Sequence, residues 1–250
     1  MPAMDHFLLD PVLFAIHLLR FLPDPNQALV LNSRILRGLL MCCRQWGKST
    51  IMAIKALHEA LTVNGTTVLV LCPTKHQAGE FFENVRAFLE ILDIRVRGDG
   101  HNSCSTRLPN GSRIIGISKR SQLRGYRNVS LLLIDEAAEV DTHAYRIVSP
   151  ALATAGEEGG KIWMMSTPNG PRGMFWEAWE DREDDWYRLK VTVDDCPRIS
   201  RKFLARERRI LGESLYRQEY MCEIIDPPDC FLNREDVAGA FRADIPPLYR

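Results

Sequence analysis

A phosphate-binding loop is the first chemical feature that the sequence suggests. Gly47, Lys48 and Ser49 occur in "MCCRQWGKST" at residues 41–50, with the spacing that ends the pattern G-x-x-x-x-G-K-[ST]. In such a loop, backbone N–H groups surround the β-phosphate, the lysine reaches the β- and γ-phosphate oxygens, and the hydroxyl ligates Mg²⁺. Cys42 occupies the place of the first glycine, but that glycine chiefly eases the turn from strand to loop. The alternative is a chance Gly-Lys-Ser in an ordinary loop.

Two acidic residues follow the apolar run "LLLI". This run predicts a buried strand that delivers Asp135 and Glu136 at its carboxyl end, where α/β folds bind ligands. Adjacent strand residues point in opposite directions, so a bend after the strand would let Asp135 join Ser49 on Mg²⁺ while Glu136 faces an attacking water. Asp135 is therefore predicted as a magnesium ligand and Glu136 as the general base. The alternative, an acid pair on the surface at a helix N-terminus, is disfavoured by the phosphate loop.

The rest of the sequence predicts the sheet that brings the loop and the acids together. Short apolar runs alternate with amphipathic helices, which indicates a mostly parallel sheet covered on both faces. Asn110-Gly111 predicts a hairpin turn, and Ser200 is the predicted N-cap of a basic helix over 200–220. The apolar runs are GLLMCC (38–43), TTVLVLCP (66–73), LPNGSRIIGIS (108–118), VSLLLIDEAAEV (129–140), GKIWMMSTPNG (160–170) and DDWYRLKVTV (184–193), and the other helices are predicted at 48–62 and 76–92.

The two ends of the chain carry weaker signals. Residues 5–22 predict a helix with Asp5 as a possible N-cap. The segment "PDPNQ" at 23–27 is predicted to break that helix. After Met221 prolines become frequent, and this composition indicates a linker.

Composition restricts the class of protein. A chain of 250 residues can form one α/β domain and a small appendage. The 32 Lys and Arg balance the 32 Asp and Glu, but basic residues cluster between Gly100 and Ile134 and again between Arg198 and Arg209. Clustered charge can present a positive face at zero net charge, although a solvated surface explains it equally well. The 7 scattered cysteines lack zinc spacing and predict a reduced, cytosolic protein.

The order of the motifs resembles a known family. "CRQWGKST", "LCPTKHQA", "LRGYRNVSLLLIDEAAEV", "MMSTPNG" and "YRQEYMCEI" together are similar to the ATPase half of a viral large terminase, the motor that packages double-stranded DNA into the procapsids of tailed phages. The resemblance covers residues 23–233. A loop R-Q-x-G-K-[ST] without the first glycine is itself typical of that family, so the departure at Cys42 is compatible with a working loop.

The resemblance implies a fold and a domain organisation. The fold would be α/β, a RecA-like P-loop NTPase of the additional-strand (ASCE) type, with a small C-terminal helical lid subdomain. The core would span 1–196, with an N-terminal helix and adenine-side segment at 1–30. The lid would span 197–232, and 233–250 would be a linker toward a nuclease domain. No nuclease activity is expected of this chain.

The resemblance also implies residue roles around ATP and Mg²⁺. Gln27 would recognise adenine, with a polar loop residue as the alternative. Lys48 would be catalytic as well as nucleotide-binding, and Arg44 would contact or sense the γ-phosphate. The implied nucleotide-binding residues are Gln27, Cys43, Arg44, Gln45, Trp46, Gly47, Lys48, Ser49 and Thr50, and the implied magnesium ligands are Ser49 and Asp135.

Two further motifs carry implied roles. Ser166 and Thr167 would couple the state of the γ-phosphate to movement, with a plain turn as the alternative. Arg124 would act in trans on the nucleotide of a neighbouring subunit, because a guanidinium fits the charge on a transferring phosphoryl group. Arg127 competes for that role. Phosphate contacts to DNA, or plain surface charge, would also explain these arginines.

The implied function is ATP hydrolysis that drives double-stranded DNA into a procapsid. The partners would be DNA, a homo-oligomeric ring on the procapsid portal and a small terminase subunit, in the cytoplasm of an infected host cell and without a membrane. A superfamily 2 helicase-like translocase is the alternative, since "PTKHQA" and "DEAA" resemble its motifs, but the residues after Gly170 lack the length for a second RecA-like domain. A nucleotide-binding scaffold without turnover is a third possibility, against which the intact Lys48, Ser49, Asp135 and Glu136 argue.

Overall fold

A computed structural model describes residues 9–96, 104–118, 123–155, 159–181, 183, 185–226 and 234–240 of the chain. Its centre is a sheet of seven strands in the order β3-β4-β2-β5-β6-β1-β7. The strands are β1 (Arg37–Cys42), β2 (Thr67–Cys72), β3 (Ser105–Arg107), β4 (Arg113–Ser118), β5 (Val129–Asp135), β6 (Lys161–Ser166) and β7 (Tyr187–Val191).

All strand pairs are parallel except β3 with β4. The predicted hairpin turn at Asn110-Gly111 joins these two antiparallel strands, and Gly111 has a φ of 84° there. The mostly parallel sheet and its flanking helices confirm the predicted α/β fold class. Parallel strands covered on both faces read as continuous apolar runs, and every residue of β2 is buried accordingly.

Helices flank the sheet, and two of them follow its last strand. They are α1 (Pro11–Leu13), which continues as a π-helical turn (Phe14–Leu18), α2 (Pro25–Asn32), α3 (Lys48–Thr62), α4 (Lys75–Ile91), α5 (Thr142–Val148), α6 (Gly173–Glu180), α7 (Arg201–Met221) and α8 (Arg234–Ala240). Short 3₁₀ turns occupy Ala137–Glu139, Ser149–Thr154 and Val193–Asp195. Within the described residues, no helix combines the length and the apolar character needed to cross a bilayer.

The predictions for the N-terminal region need correction. The predicted cap Asp5 lies outside the described residues; within them the first helix begins at Pro11, where Asp10 accepts hydrogen bonds from Val12 N and Leu13 N. The segment "PDPNQ" separates two helices as predicted, and it also begins the second of them, because α2 starts at Pro25. Asp24 is its N-cap and Pro25 its first residue; proline is favoured at that position because its missing N–H would have no partner in any case.

The C-terminal helices agree in part with the predictions. Ser200 caps α7 as predicted, with Ser200 Oγ accepting from Phe203 N at 3.2 Å. Gly212 interrupts α7 with φ 75° and ψ 168°, an interruption that the amphipathic pattern did not predict. Helix α8 falls inside the segment predicted as a linker.

Candidate active site

The phosphate loop connects β1 to α3 at the carboxyl edge of the sheet. Gly47 ends it in the left-handed region, with φ 95° and ψ 28°, and α3 begins at Lys48. A Cβ at Gly47 would lie 3.3 Å from Gln27 Nε2, so both the backbone angle and the space favour glycine. Gln45 has a φ of 63°. The loop therefore has the strand–turn–helix setting that a phosphate-binding loop requires.

Strand order brings the predicted acids to this loop. Strand β6 lies between β1 and β5 and is parallel to both, so the carboxyl ends of all three strands lie side by side. Ser49 Oγ donates to Asp135 Oδ2 at 3.0 Å. Asp135 is only 5% exposed; burial raises the pKa of its carboxyl to about 6, and the Glu136 carboxylate adds to the shift.

Ser49 and Asp135 offer the ligand types that Mg²⁺ prefers. Each presents an oxygen, and magnesium usually takes one or two protein carboxylates together with water and substrate phosphates. In the described part of the chain, no cluster of three or more His, Cys, Asp or Glu residues forms a metal site. The pair fits a magnesium ion held jointly with a nucleotide.

Glu136 turns away from the strand direction immediately after Asp135. Its backbone is left-handed, with φ 49° and ψ 49°, and its N–H donates to Asp135 Oδ1 at 2.9 Å. This is the predicted bend, and it aims Glu136 Oε1 at Lys48 Nζ, 2.8 Å away. Burial alone would lower the pKa of the Lys48 ammonium, but Cys42, Glu136 and Asp135 raise it above the ordinary value. Lys48 is therefore charged at neutral pH.

Ser166 connects the end of β6 to the predicted base. Ser166 Oγ donates to Glu136 Oε2 at 3.4 Å and accepts from Ala138 N at 3.2 Å. The hydroxyl thus touches both the side chain of Glu136 and the turn that follows it. Thr167 is the next residue and is half-buried.

These groups surround a cavity of about 370 Å³. Acidic, basic and amide side chains dominate the wall, which suits a charged ligand better than an apolar one. The lining residues are Arg44, Gln45, Lys48, Gln77, Glu136, Glu139, Ser166, Thr167, Pro168, Asn169, Gln218 and Glu219. A larger cavity of about 670 Å³ lies elsewhere, near the amino ends of β5 and β6. It contains none of the predicted site residues.

Arg44 joins the loop to α7. Its Nε contacts Glu219 Oε2 at 2.5 Å, and its backbone N–H donates to Glu219 O at 3.0 Å. The hydrogen bond to Glu219 raises the pKa of Arg44. Glu219 lies within the motif "YRQEYMCEI", but sequence reasoning gave it no role, because its partner is 175 positions away.

The other predicted nucleotide-binding residues divide into two groups. Cys43 and Trp46 are fully buried, so only their backbone groups can reach a ligand. Thr50 is half-buried within α3. Gln27 is 2% exposed, and its Nε2 donates to Trp46 O at 2.9 Å while its Oε1 accepts from Asp24 N at 2.9 Å. Both ends of the Gln27 amide are therefore engaged within the chain.

Arg198 is a neighbour of the loop that was not predicted. Its Nη1 pairs with Asp24 Oδ2 at 3.1 Å and its Nη2 donates to Trp46 O. Its only sequence signal was membership in a basic cluster. Arg124 and Arg127 are both exposed and lie outside the cavity, before the amino end of β5.

Solved structures with the same fold come from phage large terminases. The ATPase domain from Thermus phage P74-26 matches with a TM-score of 0.71 and 21% identity, over 84% of this chain and 97% of that one. The HK97 bacteriophage large terminase matches with a TM-score of 0.73 and 15% identity, over 87% of this chain and 55% of that one. A large terminase from a thermophilic bacteriophage, solved in complex with ADP, matches with a TM-score of 0.67 and 17% identity, over 81% of this chain and 53% of that one.

This chain thus spans about half the length of the HK97 protein and of the ADP-bound thermophilic phage protein. No curated protein sequence matches it. The protein-family model described as "Terminase large subunit, T4likevirus-type, N-terminal" matches residues 39–241. That match includes the phosphate loop, both acids and α7. The chain belongs to the terminase large subunit family, through its T4likevirus-type N-terminal region.

Proposed function

We propose that this chain hydrolyses ATP with Mg²⁺ and that the hydrolysis moves double-stranded viral DNA into a procapsid. The observation that carries the proposal is the pairing of Lys48 with Glu136 at the wall of one polar cavity, together with the hydrogen bond between their chain neighbours Ser49 and Asp135. The ADP bound by the thermophilic phage relative supports a nucleotide as the ligand. The family supports the packaging role.

The proposed chemistry follows from the positions of these side chains. Lys48 binds the β- and γ-phosphate oxygens together with backbone N–H groups of the loop. Ser49 and Asp135 would hold Mg²⁺, which when bound neutralises charge that develops on the phosphates. Glu136 orients the attacking water and accepts its proton. Ser166 holds the Glu136 carboxylate in place.

The Lys48–Glu136 ion pair must open during this reaction. A triphosphate competes with Glu136 for the Lys48 ammonium, and Glu136 is then released to face the water. Ser166 contacts both Glu136 and the turn after it. These contacts support the proposal that Ser166, with Thr167, transmits the state of the γ-phosphate.

Movement would follow from the contact between the loop and α7. The proposed subdomains are a core over 1–196, a lid over 197–232 and a linker over 233–250. Arg44 contacts Glu219 at 2.5 Å, so a phosphate that draws the Arg44 guanidinium away from Glu219 would weaken the attachment of the lid. The exposed basic residues of α7 suit the DNA backbone, because a packaging motor needs phosphate contacts that do not depend on base sequence.

The assembly that we propose is a homo-oligomeric ring on the procapsid portal, working with a small terminase subunit in the host cytoplasm. Arg124, exposed before β5, would serve a neighbour's nucleotide, with Arg127 as the competing candidate. Both lie outside the cavity of their own chain, which supports a role in trans.

Nucleotide binding by Lys48→Ala and wild-type protein tests the central claim. Equilibrium titration with a fluorescent ADP should show saturable, Mg²⁺-dependent binding by wild type and none by K48A, and steady-state phosphate release should follow the same order. Glu83→Gln, at an exposed position of α4, is the control and should match wild type. Wild-type protein that neither binds nor hydrolyses the nucleotide would overturn the proposal.

A further inference from the structure

One peptide group of the phosphate loop is held from outside the nucleotide cavity. The Trp46 carbonyl accepts two hydrogen bonds, one from Gln27 Nε2 at 2.9 Å and one from Arg198 Nη2. Neither donor lines the cavity, which on this side is formed by Arg44, Gln45 and Lys48. The two donors therefore bind the loop on the side that faces away from the cavity.

The donors form a closed network with Asp24. Asp24 Oδ1 accepts from Gln27 N at 2.8 Å, and Asp24 Oδ2 pairs with Arg198 Nη1 at 3.1 Å. One carboxylate therefore begins α2 and also aligns the guanidinium. The pairing uses two nitrogens of a planar group for two different acceptors, a geometry that lysine cannot reproduce.

The backbone around Arg198 is itself fixed against the loop. Cys43 N donates to Val191 O at 2.9 Å, and Cys43 Sγ lies 3.6 Å from Cys196 Sγ. Arg198 thus extends from a segment that packs along the loop, and its contact with Trp46 O continues that packing.

The direction of the Trp46 carbonyl decides where the next N–H points. The described chain contains no cis peptide bonds, and in a planar trans peptide the C=O and the following N–H point to opposite sides. With the carbonyl held by Gln27 and Arg198, the Gly47 N–H points away from them, toward the side on which the phosphates would lie. Gly47, in the left-handed region and without a Cβ, has a backbone that could rotate this peptide plane.

We propose that Arg198 is a positioning residue for nucleotide binding. By holding the Trp46 carbonyl outward, it orients the Trp46–Gly47 peptide so that the Gly47 N–H is presented to the bound phosphates. The inference rests on the nucleotide binding proposed above, and it assigns a nucleotide-site role to a residue at the junction between β7 and α7. Arg198 itself need not touch the nucleotide.

Affinity measurements on Arg198→Ala test this role. Removing the charged donor should weaken binding of fluorescent ADP and of a non-hydrolysable ATP analogue to an equal extent, by about tenfold, the size expected when a hydrogen bond to a charged group is lost. The turnover number at saturating ATP should stay within about twofold of wild type, because Lys48, Asp135 and Glu136 have no contact with Arg198 among those described. The Michaelis constant would then rise without a fall in turnover.

Two further variants separate positioning from general damage. Arg198→Lys keeps one charged donor for Trp46 O and should recover part of the lost affinity. Arg95→Ala removes an exposed arginine beyond the end of α4 and should bind like wild type. Thermal unfolding of each variant without nucleotide shows whether the fold is intact.

Several results would overturn the inference. Unchanged affinity in R198A removes its basis, as does a lower turnover number with unchanged affinity. A loss confined to the triphosphate analogue would mean that Arg198 contacts the γ-phosphate directly. Failure of wild-type protein to bind any nucleotide would instead refute the proposed function, so the two failures are distinguishable.

Discussion

Glu136 is the residue on which the proposed chemistry most depends, and its backbone shows how it is placed. A non-glycine residue in the left-handed region is uncommon, and such conformations concentrate at functional sites. At φ 49° and ψ 49°, Glu136 leaves the line of β5 and reaches Lys48 and Ser166. An extended backbone would have carried the side chain to the opposite side from Asp135.

Glu136→Gln should separate binding from hydrolysis. Glutamine keeps the length of the side chain but cannot accept the water's proton, so hydrolysis should fall by about 10²–10⁴-fold, the usual contribution of a general base. Binding of ATP should be retained or strengthened, because Lys48 loses the carboxylate at 2.8 Å with which phosphate competes. Equilibrium binding and phosphate release, measured on the same preparation, check both. An equal loss of both would make Glu136 structural.

The sequence predicted the residues whose signal is local. Lys48, Ser49, Asp135 and Glu136 stand within short motifs, and the bend at Glu136 followed from the alternation of strand side chains. The contacts of Arg198 and Glu219 with the loop could not be predicted, because each residue meets the loop from more than 150 positions away. Long-range pairs of this kind depend on strand order and helix placement, which one sequence does not reveal.

At the scale of elements, apolar runs and helix periodicity located most of the fold. Helix α3 has the predicted bounds, and β1, β2 and β7 agree with their runs within one to three residues at either end. The runs that contain β4, β5 and β6 extend four or five residues beyond the strand at one end. The errors arose where the same sequence feature is compatible with two kinds of local structure. Asp24-Pro25 both ends an element and begins one, and the composition that predicted a linker does not exclude the short helix α8.

Replacing glycine by alanine should have opposite effects on stability at Gly212, where α7 is interrupted, and at Gly79 within α4. Gly212→Ala should lower the free energy of unfolding by about 1–3 kcal/mol, because φ 75° with ψ 168° is accessible essentially only to glycine. Gly79→Ala, at an open position within α4, should raise it by about 0.5–1 kcal/mol through helix propensity. Urea unfolding followed by circular dichroism measures both. A neutral Gly212→Ala would show that α7 can straighten without cost.

Lys55 links α3 to α2 and β6 and predicts a pH dependence of stability. Its Nζ donates to Val30 O at 3.0 Å and to Ser33 O at 3.2 Å, and it lies 4.9 Å from the Trp163 ring centroid. Burial lowers the pKa of Lys55 to about 8, Lys161 adds to the shift, and Glu59 opposes it. The folded chain therefore carries a buried ammonium at neutral pH.

The sign of the effect follows from proton counts. Below about pH 8 Lys55 is protonated in both the folded and the unfolded chain, so the free-energy cost of burying its ammonium does not change with pH. Between about pH 8 and about 10.4 the unfolded chain binds more protons, so the stability of wild type should rise with pH relative to Lys55→Met, by at most about 3 kcal/mol. Urea unfolding of both proteins at pH 7.5 and 9.5 gives the difference. A difference that does not change with pH would contradict the shift.

At the scale of the whole molecule, positive and negative charges balance in number but are unevenly distributed over the surface. Net charge is zero, yet the first half of α7 presents exposed basic residues beside exposed Phe203 and Ile210. Such a surface suits the DNA backbone at low ionic strength. Added salt should therefore weaken DNA binding steeply. Strand separation of a duplex would instead favour the helicase alternative.

A ring that shares arginines between subunits predicts complementation between two inactive proteins. Lys48→Ala is expected not to bind nucleotide but still carries Arg124, whereas Arg124→Ala keeps an intact cavity and lacks the proposed trans-acting group. Each variant alone should hydrolyse ATP slowly. The mixture should hydrolyse ATP faster than either variant alone, because Arg124 of a Lys48→Ala subunit then reaches the nucleotide bound by an Arg124→Ala subunit. An arginine of this kind contributes roughly 10³–10⁵ in rate in other NTPases, so even partial assembly should be detectable. Steady-state phosphate release over a range of total protein concentrations measures it.

The double variant Lys48→Ala/Arg124→Ala is the matched control, since it can assemble with Arg124→Ala but supplies no arginine. Its mixture with Arg124→Ala should stay at the level of Arg124→Ala alone. Repeating the experiment with Arg127→Ala in place of Arg124→Ala decides between the two candidates, because only the arginine that acts in trans can be supplied by a neighbour. If no mixture of either series gains activity at concentrations where wild-type activity per subunit has reached its plateau, each subunit completes its own site and the shared-arginine ring is refuted.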